Sequence, residues 1–185
     1  MIDITISSTS QDLEGIIKLQ KKNLRHDLTE TEIKEQGFVT VAHQLEDLTK
    51  MHEFEKNIIA KNGDEVIAYV IGMTEQSKND IPVLVDMYES FDHLQYDGKP
   101  VSAYRYIVVG QVCVDKAYRG QGIFDSIYQA YKTHFNGRFD FAITEVAAIN
   151  FRSARAHKRV GFKEIGRTTD SNGIDWSIVL WDWRK

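Results

Sequence analysis

Strand-like and helix-like patterns alternate in the second half of the chain, and this alternation restricts the fold more than any other feature. An apolar strand covers residues 104–114, and another covers 139–146. Segments with helical spacing follow them at 123–135 and 150–159, and two more strands close the chain. Crossovers of this kind place helices on both faces of a sheet. The sequence therefore predicts an α/β or α+β fold with a twisted, mixed sheet.

The first part of the chain is predicted to add one strand and three helices. Isoleucines alternate with polar residues over positions 2–6, as in a half-buried strand. Ser10 is the predicted N-cap of a helix that runs to Gln20. Segments 28–37 and 42–54 have helical spacing with one charged side, so we expect them to flank the sheet.

A hairpin and one ambiguous segment occupy the middle of the chain. The Asn-Gly dipeptide at 62–63 is a strong hairpin signal, so the runs 57–60 and 65–73 are predicted to pair antiparallel. Segment 81–91 combines a proline that suits a first helical turn with a Val-Leu-Val run that also suits a strand. We predict a helix there. No repeat or linker divides the sequence, so residues 1–185 are expected to form one domain.

Composition and charge exclude several classes of protein. The chain has 185 residues, of which 42% are apolar, enough to fill the core of one domain. Its formal net charge of -4 argues against a nucleic-acid partner, which requires a clustered basic surface. Cys113 is the single cysteine, and no apolar run approaches the roughly 20 residues of a membrane span. We expect a cytoplasmic protein with no signal peptide, no membrane segment and no metal site.

The loop before the helix at 123–135 is the most informative segment. Gly120 and Gly122 let the backbone approach a ligand closely, and the first amides of the helix offer donors at its positive dipole end. A diphosphate group fits such a site. The loop matches neither a P-loop nor a dinucleotide-binding turn. The alternative is a simple turn that joins a strand to a helix, which two glycines alone also suit.

A second polar set follows about thirty residues later. Asn150, Ser153 and His157 share one face of the predicted helix, where they can line a groove. Asn150 is also a natural N-cap. Gly161 ends the helix, and Phe162 begins the next strand.

In this order and separation, the two segments resemble the GNAT superfamily of acyl-CoA N-acyltransferases, over roughly residues 100–183. The loop of that family, Arg/Gln-x-x-Gly-x-Gly/Ala, is matched by residues 119–124, although Phe124 stands where the family has a small residue. The later element, Asn-x-x-Ala/Ser followed by an aromatic acid and Gly-Phe, is matched from Asn150 to Phe162. His157 replaces the usual tyrosine in it.

The resemblance implies a mostly antiparallel sheet whose central strands, 104–114 and 139–146, splay apart near a bulge at 111–114. The pantetheine arm of acetyl-CoA would enter there, and backbone groups of Val112 and Val114 would hold it and polarise the thioester. An amine-bearing acceptor and a homodimer are also consistent with the family. The cofactor-binding residues that it implies are Val112, Cys113, Val114, Arg119, Gly120, Gln121, Gly122, Ile123, Phe124, Asn150 and Ser153.

Acyl transfer to an amine requires a base and a proton for the departing thiolate. Glu145, at the end of a predicted strand, is the candidate base, and a solvated strand-end carboxylate is the alternative. His157 is the candidate acid, and a surface histidine beside two basic residues is the alternative. Cys113 would permit a covalent route, but a buried structural thiol is the stronger interpretation.

These features predict an N-acetyltransferase that moves an acetyl group from acetyl-CoA to a primary amine by direct attack. The missing tyrosine motivates an alternative, a non-catalytic acyl-CoA sensor. A third hypothesis is an interaction domain in which Gly120 and Gly122 form only a turn.

Overall fold

The computed structural model describes residues 1–78, 81 and 84–184. The strands in this part of the chain are β1 (Ile2–Ile6), β2 (Ile58–Asn62), β3 (Glu65–Met73), β4 (Gln95–Tyr96), β5 (Lys99–Pro100), β6 (Tyr106–Val114), β7 (Phe141–Ala147), β8 (Lys163–Thr169) and β9 (Asp175–Asp182). The α-helices are α1 (Ser10–Lys21), α2 (Glu30–Gln36), α3 (Leu45–Phe54), α4 (Val85–Asp92), α5 (Ile123–Phe135) and α6 (Phe151–Val160).

Seven of the strands form one mixed sheet in the order β1-β2-β3-β6-β7-β9-β8. Neighbouring strands run antiparallel except β6 and β7, which are parallel. The hairpin of β2 and β3 is confirmed, with Gly63 at a positive φ of 60° in its turn. Strands β4 and β5 form a separate small hairpin. The predicted class, a mostly antiparallel mixed sheet with helices, is therefore confirmed.

Two hydrophobic cores lie on opposite faces of this sheet. One joins α1, α3 and α4 to alternate residues of the strands, such as Tyr69 and Ile143. The other joins α5 and the end of α6 to the intervening residues, such as Val70 and Ala142. Residues of a strand point alternately to its two faces, so both faces of the central strands are covered.

Helix α5 is fixed in the second core by a stripe at four-residue spacing. Ile123, Ile127, Tyr131 and Phe135 are all buried. Burial of each such side chain contributes about 1.5–3 kcal/mol. The N-terminus of α5 is therefore held at a fixed place at the edge of the sheet.

Two local predictions require correction. The N-cap of α1 is Thr9 and not Ser10, because the Thr9 hydroxyl accepts from the Asp12 amide at 3.2 Å while the Asp12 carboxylate accepts from the Thr9 amide at 3.1 Å. The helix predicted at 81–91 covers Val85–Asp92, and Pro82 lies outside the described residues.

The central strands β6 and β7 separate after a short paired stretch. Their ladder has three pairs, the last between Val108 and Ile143, yet β6 continues to Val114 and β7 to Ala147. At the point of separation, the Thr144 hydroxyl donates to the Val109 carbonyl at 2.7 Å. The two strands therefore open a cleft in the middle of the sheet.

The β-bulge beside this cleft lies one residue earlier than predicted. In the β3–β6 ladder, Ile71 pairs with Gln111 but Gly72 pairs with Val109, so Gly110 is the extra residue. A Cβ atom on Gly110 would overlap the sulfur of Met73. The bulge expected near residues 111–114 is therefore centred on Gly110, where an added side chain would press on that of Met73.

Candidate functional site

The loop before α5 places a series of backbone amides at the N-terminus of this helix. Gly120 and Gly122 have φ angles of 78° and 77°, in the left-handed region that favours glycine. No side chain caps α5, whose N-cap is Gly122. Among the residues that the structure describes, none accepts a hydrogen bond from an amide of residues 120–125. These amides and the positive end of α5 form a site for an anion.

A cavity of about 590 Å³ extends from this loop along the end of β6 to α6. Its volume lies within the range of small-molecule sites. Ten of the eleven predicted cofactor-binding residues line it: Val112, Cys113, Val114, Arg119, Gly120, Gly122, Ile123, Phe124, Asn150 and Ser153. Gln121 does not, since its exposed side chain donates to the Ala117 carbonyl at 3.1 Å.

The pairing of β6 directs the backbone of Val112 and Val114 into the cleft. The amide of Asp115 donates to Ile67 on β3 at 2.8 Å. Backbone groups of consecutive strand residues alternate in direction, so those of Val112 and Val114 point away from β3. The Val114 carbonyl is already occupied, because Arg119 Nε donates to it at 2.9 Å. The Val112 groups and the Val114 amide are left for a ligand.

The guanidinium of Arg119 is held by protein groups. One terminal nitrogen donates to the Gln36 carbonyl at 2.9 Å, and the other donates to the Asn23 side chain at 2.7 Å. Arg119 therefore ties residues 119–124 to residues 36–41. We call residues 119–124 the cofactor loop, because the sequence predicts cofactor binding there, and residues 36–41 the strap. Arg119 shapes the cavity wall, and its positive charge stays near the loop.

The strap is also anchored from the two sides of the cleft. Asn150 Nδ2 donates to the Phe38 carbonyl at 3.0 Å, and Gln111 Nε2 donates to the Val41 carbonyl at 2.8 Å. The Asn150 oxygen caps α6 by accepting from the Ser153 amide at 3.3 Å. The expected cap is present, and one of the two hydrogens on the Asn150 amide nitrogen holds the strap.

A smaller cavity of about 90 Å³ continues the cleft between the strands. Both candidate catalytic residues, Glu145 and His157, line it, together with Ser153 and Trp176. Glu145 accepts from Ser90 of α4 at 2.7 Å, whereas His157 packs under α5, so the two approach from opposite faces of the sheet.

Burial raises the pKa of the Glu145 carboxyl, and the negative charges of Asp170 and Asp86 raise it further. The hydrogen bond from Ser90 acts in the opposite direction. A raised pKa makes this carboxylate a stronger base than an exposed one, as a general base near neutrality requires.

The structure does not favour the expected acid role of His157. Its ring is buried, and burial lowers its pKa to about 4. The ring lies 2.7 Å from the Tyr128 hydroxyl and 2.8 Å from the Ser153 carbonyl. At neutral pH the imidazole is therefore neutral, so it lacks the proton that an imidazolium acid would donate.

Two further side chains have a packing role. Burial raises the pKa of the Cys113 thiol to about 12, so it is protonated at neutral pH. The Phe124 ring packs on Tyr128 and His157, with centroid distances of 5.0 and 5.4 Å. Its bulk is accommodated by this aromatic packing, while its amide remains at the loop.

A comparison with protein-family models decides the family. Residues 21–162 match the model of the acetyltransferase (GNAT) family. The chain belongs to this family. The protein is therefore an acyltransferase, and acetyl-CoA is the cosubstrate that the family uses. The unpartnered amides of 120–125 and the open cleft fit the diphosphate and the pantetheine arm, respectively.

Solved structures share the fold of this GNAT protein. A GNAT acetyltransferase from Streptococcus agalactiae has a TM-score of 0.68 at 12% identity, over 100% of this chain and 96% of that one. The ribosomal-protein-S18-alanine N-acetyltransferase from Escherichia coli has a TM-score of 0.64 at 14% identity, over 98% of this chain and 94% of that one. A Salmonella typhimurium protein solved with its cofactor acetyl-CoA has a TM-score of 0.63 at 11% identity, over 98% and 94%. A search of curated proteins finds no match.

Some residues of this GNAT site were not predicted from the sequence. Arg152, Arg155 and Arg159 line the large cavity from α6, and the strap lines it from the other side. The arginines were detectable, because their spacing of three and four places them on one helical face near Asn150. The strap could not be detected from the sequence, because its position depends on contacts with residues that are distant along the chain.

Metal sites and membrane spans would indicate other functional classes. Within residues 1–78, 81 and 84–184, no group of three or more metal-ligating side chains is placed to hold an ion. None of the helices described there has the length and apolarity that a bilayer span requires.

Proposed function

We propose that this GNAT enzyme is an N-acetyltransferase that moves the acetyl group of acetyl-CoA to a primary amine by direct attack. The observation that carries the proposal is the cleft between β6 and β7, which joins the free amides of the cofactor loop to the cavity containing Glu145. A donor bound at the loop would extend toward this carboxylate.

Different residues of the cleft perform different steps of the transfer. The amide of Val114 is directed into the cleft, where it can donate to the thioester oxygen as that oxygen gains negative charge. Glu145 accepts a proton from the protonated amine, which frees the nitrogen lone pair for attack on the carbonyl carbon. The C–N bond forms as the C–S bond breaks, and the bonding pair leaves with sulfur.

The acceptor is expected to approach from the face of the sheet that carries α4. Ser90 and Glu145 lie on that face, and the carboxylates of Asp86 and Asp170 are close enough to raise the pKa of Glu145. This negative environment favours a protonated amine in the encounter complex. It also keeps a base beside the amine once the complex has formed.

Release of CoA thiol with a panel of primary amines tests the proposal. We expect acetyl-CoA to bind, and at least one amine to increase thiol release and to gain the mass of one acetyl group. The panel should contain small amines, amino acids, polyamines and peptides with free N-termini. Tight binding of acetyl-CoA without turnover on any of them would favour the sensor alternative.

Replacement of Cys113 by alanine separates direct transfer from a covalent route. Because burial keeps this thiol protonated, we expect Cys113→Ala to retain kcat within about threefold, apart from a modest packing loss. Steady-state kinetics and mass spectrometry of the enzyme after mixing with acetyl-CoA alone are the measurements. An acetylated wild-type enzyme together with an inactive alanine variant would contradict direct attack.

A further inference from the structure

A serine hydroxyl lies where the cofactor cleft meets the small cavity. Ser153, in the first turn of α6, lines both the large cavity and the small cavity that contains Glu145. The reacting thioester must cross this junction if the donor binds at the loop and the acceptor meets Glu145. His157 is neutral and buried, so it offers no imidazolium proton to the departing sulfur.

The hydrogen bonds of His157 determine its tautomer. Its Nδ1 atom lies 2.8 Å from the Ser153 carbonyl, which can only accept, so Nδ1 carries the proton. Its Nε2 atom then has a lone pair, to which the Tyr128 hydroxyl donates at 2.7 Å. The Ser153 hydroxyl oxygen lies 3.2 Å from the same Nδ1–H and accepts from it.

This arrangement leaves the hydroxyl hydrogen of Ser153 to be donated elsewhere. In the part of the chain that the structure describes, no protein acceptor receives it. We propose that Ser153 donates this hydrogen bond to the thioester sulfur and stabilises the thiolate as the C–S bond breaks. The inference rests on the proposed transfer from acetyl-CoA to an amine.

The step balances without a second acid. Glu145 takes the ammonium proton of the incoming amine, and the freed lone pair of the nitrogen forms the bond to the carbonyl carbon. The second proton that the nitrogen then loses goes to water. The C–S electron pair goes to sulfur, which becomes negatively charged. The Ser153 hydroxyl donates a hydrogen bond to this sulfur but does not transfer its proton. The thiolate takes a proton from water after release. His157 is a positioning residue that orients Ser153, and Tyr128 fixes the ring of His157.

The Ser153→Ala variant tests the role of the hydroxyl. A lost hydrogen bond to a charged leaving group should lower kcat about 10- to 100-fold. The affinity for CoA, measured by calorimetry, should stay within about twofold, because the bond strengthens only as charge develops on sulfur. Ser10→Ala is the control, since Ser10 lies exposed in the first turn of α1 and lines neither cavity. Wild-type kcat in Ser153→Ala would overturn the inference.

A double-mutant cycle with His157→Tyr separates this role from a packing role. A tyrosine hydroxyl at position 157 can take over the hydrogen bond to sulfur, so the Ser153→Ala change should then cost less than about threefold in kcat. An equal cost in both backgrounds would overturn the inference. If the tyrosine variant fails to bind CoA, the kcat of the Ser153→Ala single variant alone tests the inference. Absence of turnover by the wild-type enzyme on every amine would instead refute the proposed function.

Discussion

Replacing Gly122 by glutamate is expected to abolish CoA binding. Gly122 has a φ of 77°, so a side chain strains the loop, and the new carboxylate would lie among the amides that we expect to hold the diphosphate. Loss of this geometry together with like-charge repulsion should weaken binding at least about 100-fold, which corresponds to about 2.7 kcal/mol. Isothermal titration calorimetry with CoA measures the change.

Gly63→Glu is the matched control. Gly63 has a φ of 60° and, like Gly122, no neighbouring atom within 4 Å of an added Cβ. It lies in the β2–β3 turn and lines neither cavity, so the control carries similar backbone strain without a ligand. Equal affinity for CoA in the two variants would show that the loop is only a turn.

Glu145→Gln is expected to cause the largest loss of turnover. A missing general base typically costs about 10²- to 10⁴-fold, and the amide of glutamine cannot take the amine proton. CoA affinity should be unchanged, since Glu145 does not line the large cavity. Glu14→Gln, on the exposed side of α1, is the control and should keep wild-type kcat. Wild-type kcat in Glu145→Gln would contradict the assignment of the base.

The pH profile gives an independent test of Glu145. Because burial raises its pKa, kcat at saturating amine should fall as the pH drops through this raised value, and Glu145→Gln should lose that dependence. Ser90→Ala should move the fall to higher pH, since the Ser90 hydrogen bond lowers the pKa of Glu145. An unchanged profile in both variants would assign the titration to another group.

The raised pKa of Glu145 also predicts that the stability of the fold depends on pH. A carboxyl whose pKa rises on folding stabilises the fold fully below its unfolded value, near 4.5, and this contribution is lost as pH rises through the folded value. Glu145→Gln should therefore unfold at higher denaturant concentration than the wild type near neutral pH. The difference should disappear in acid.

The cofactor loop could be predicted from the sequence because its determinants are local. Gly120 and Gly122 stand between an apolar strand and a helix with a continuous buried stripe. The hairpin at Gly63 was predictable for the same reason. The N-cap of α1 could also have been assigned correctly, since Thr9 and Asp12 have the spacing of a capping box.

Features that depend on distant contacts could not be predicted in this way. The resemblance implied Arg119 as a cofactor-binding residue, yet its guanidinium donates to Asn23 and Gln36, which lie far away in sequence. The bulge is at Gly110, which packs closely against Met73 of the neighbouring strand. The neutral state of His157 follows from its burial beside Tyr128, which its surface-like sequence context did not indicate.

We propose that the amides of residues 120–125 hold the diphosphate of CoA. A crystal structure of the protein with bound CoA tests this claim. We predict diphosphate oxygens about 2.7–3.2 Å from several of these nitrogens, with the pantetheine arm between β6 and β7. A CoA molecule bound elsewhere, with the loop amides facing water or protein oxygens, would contradict the claim.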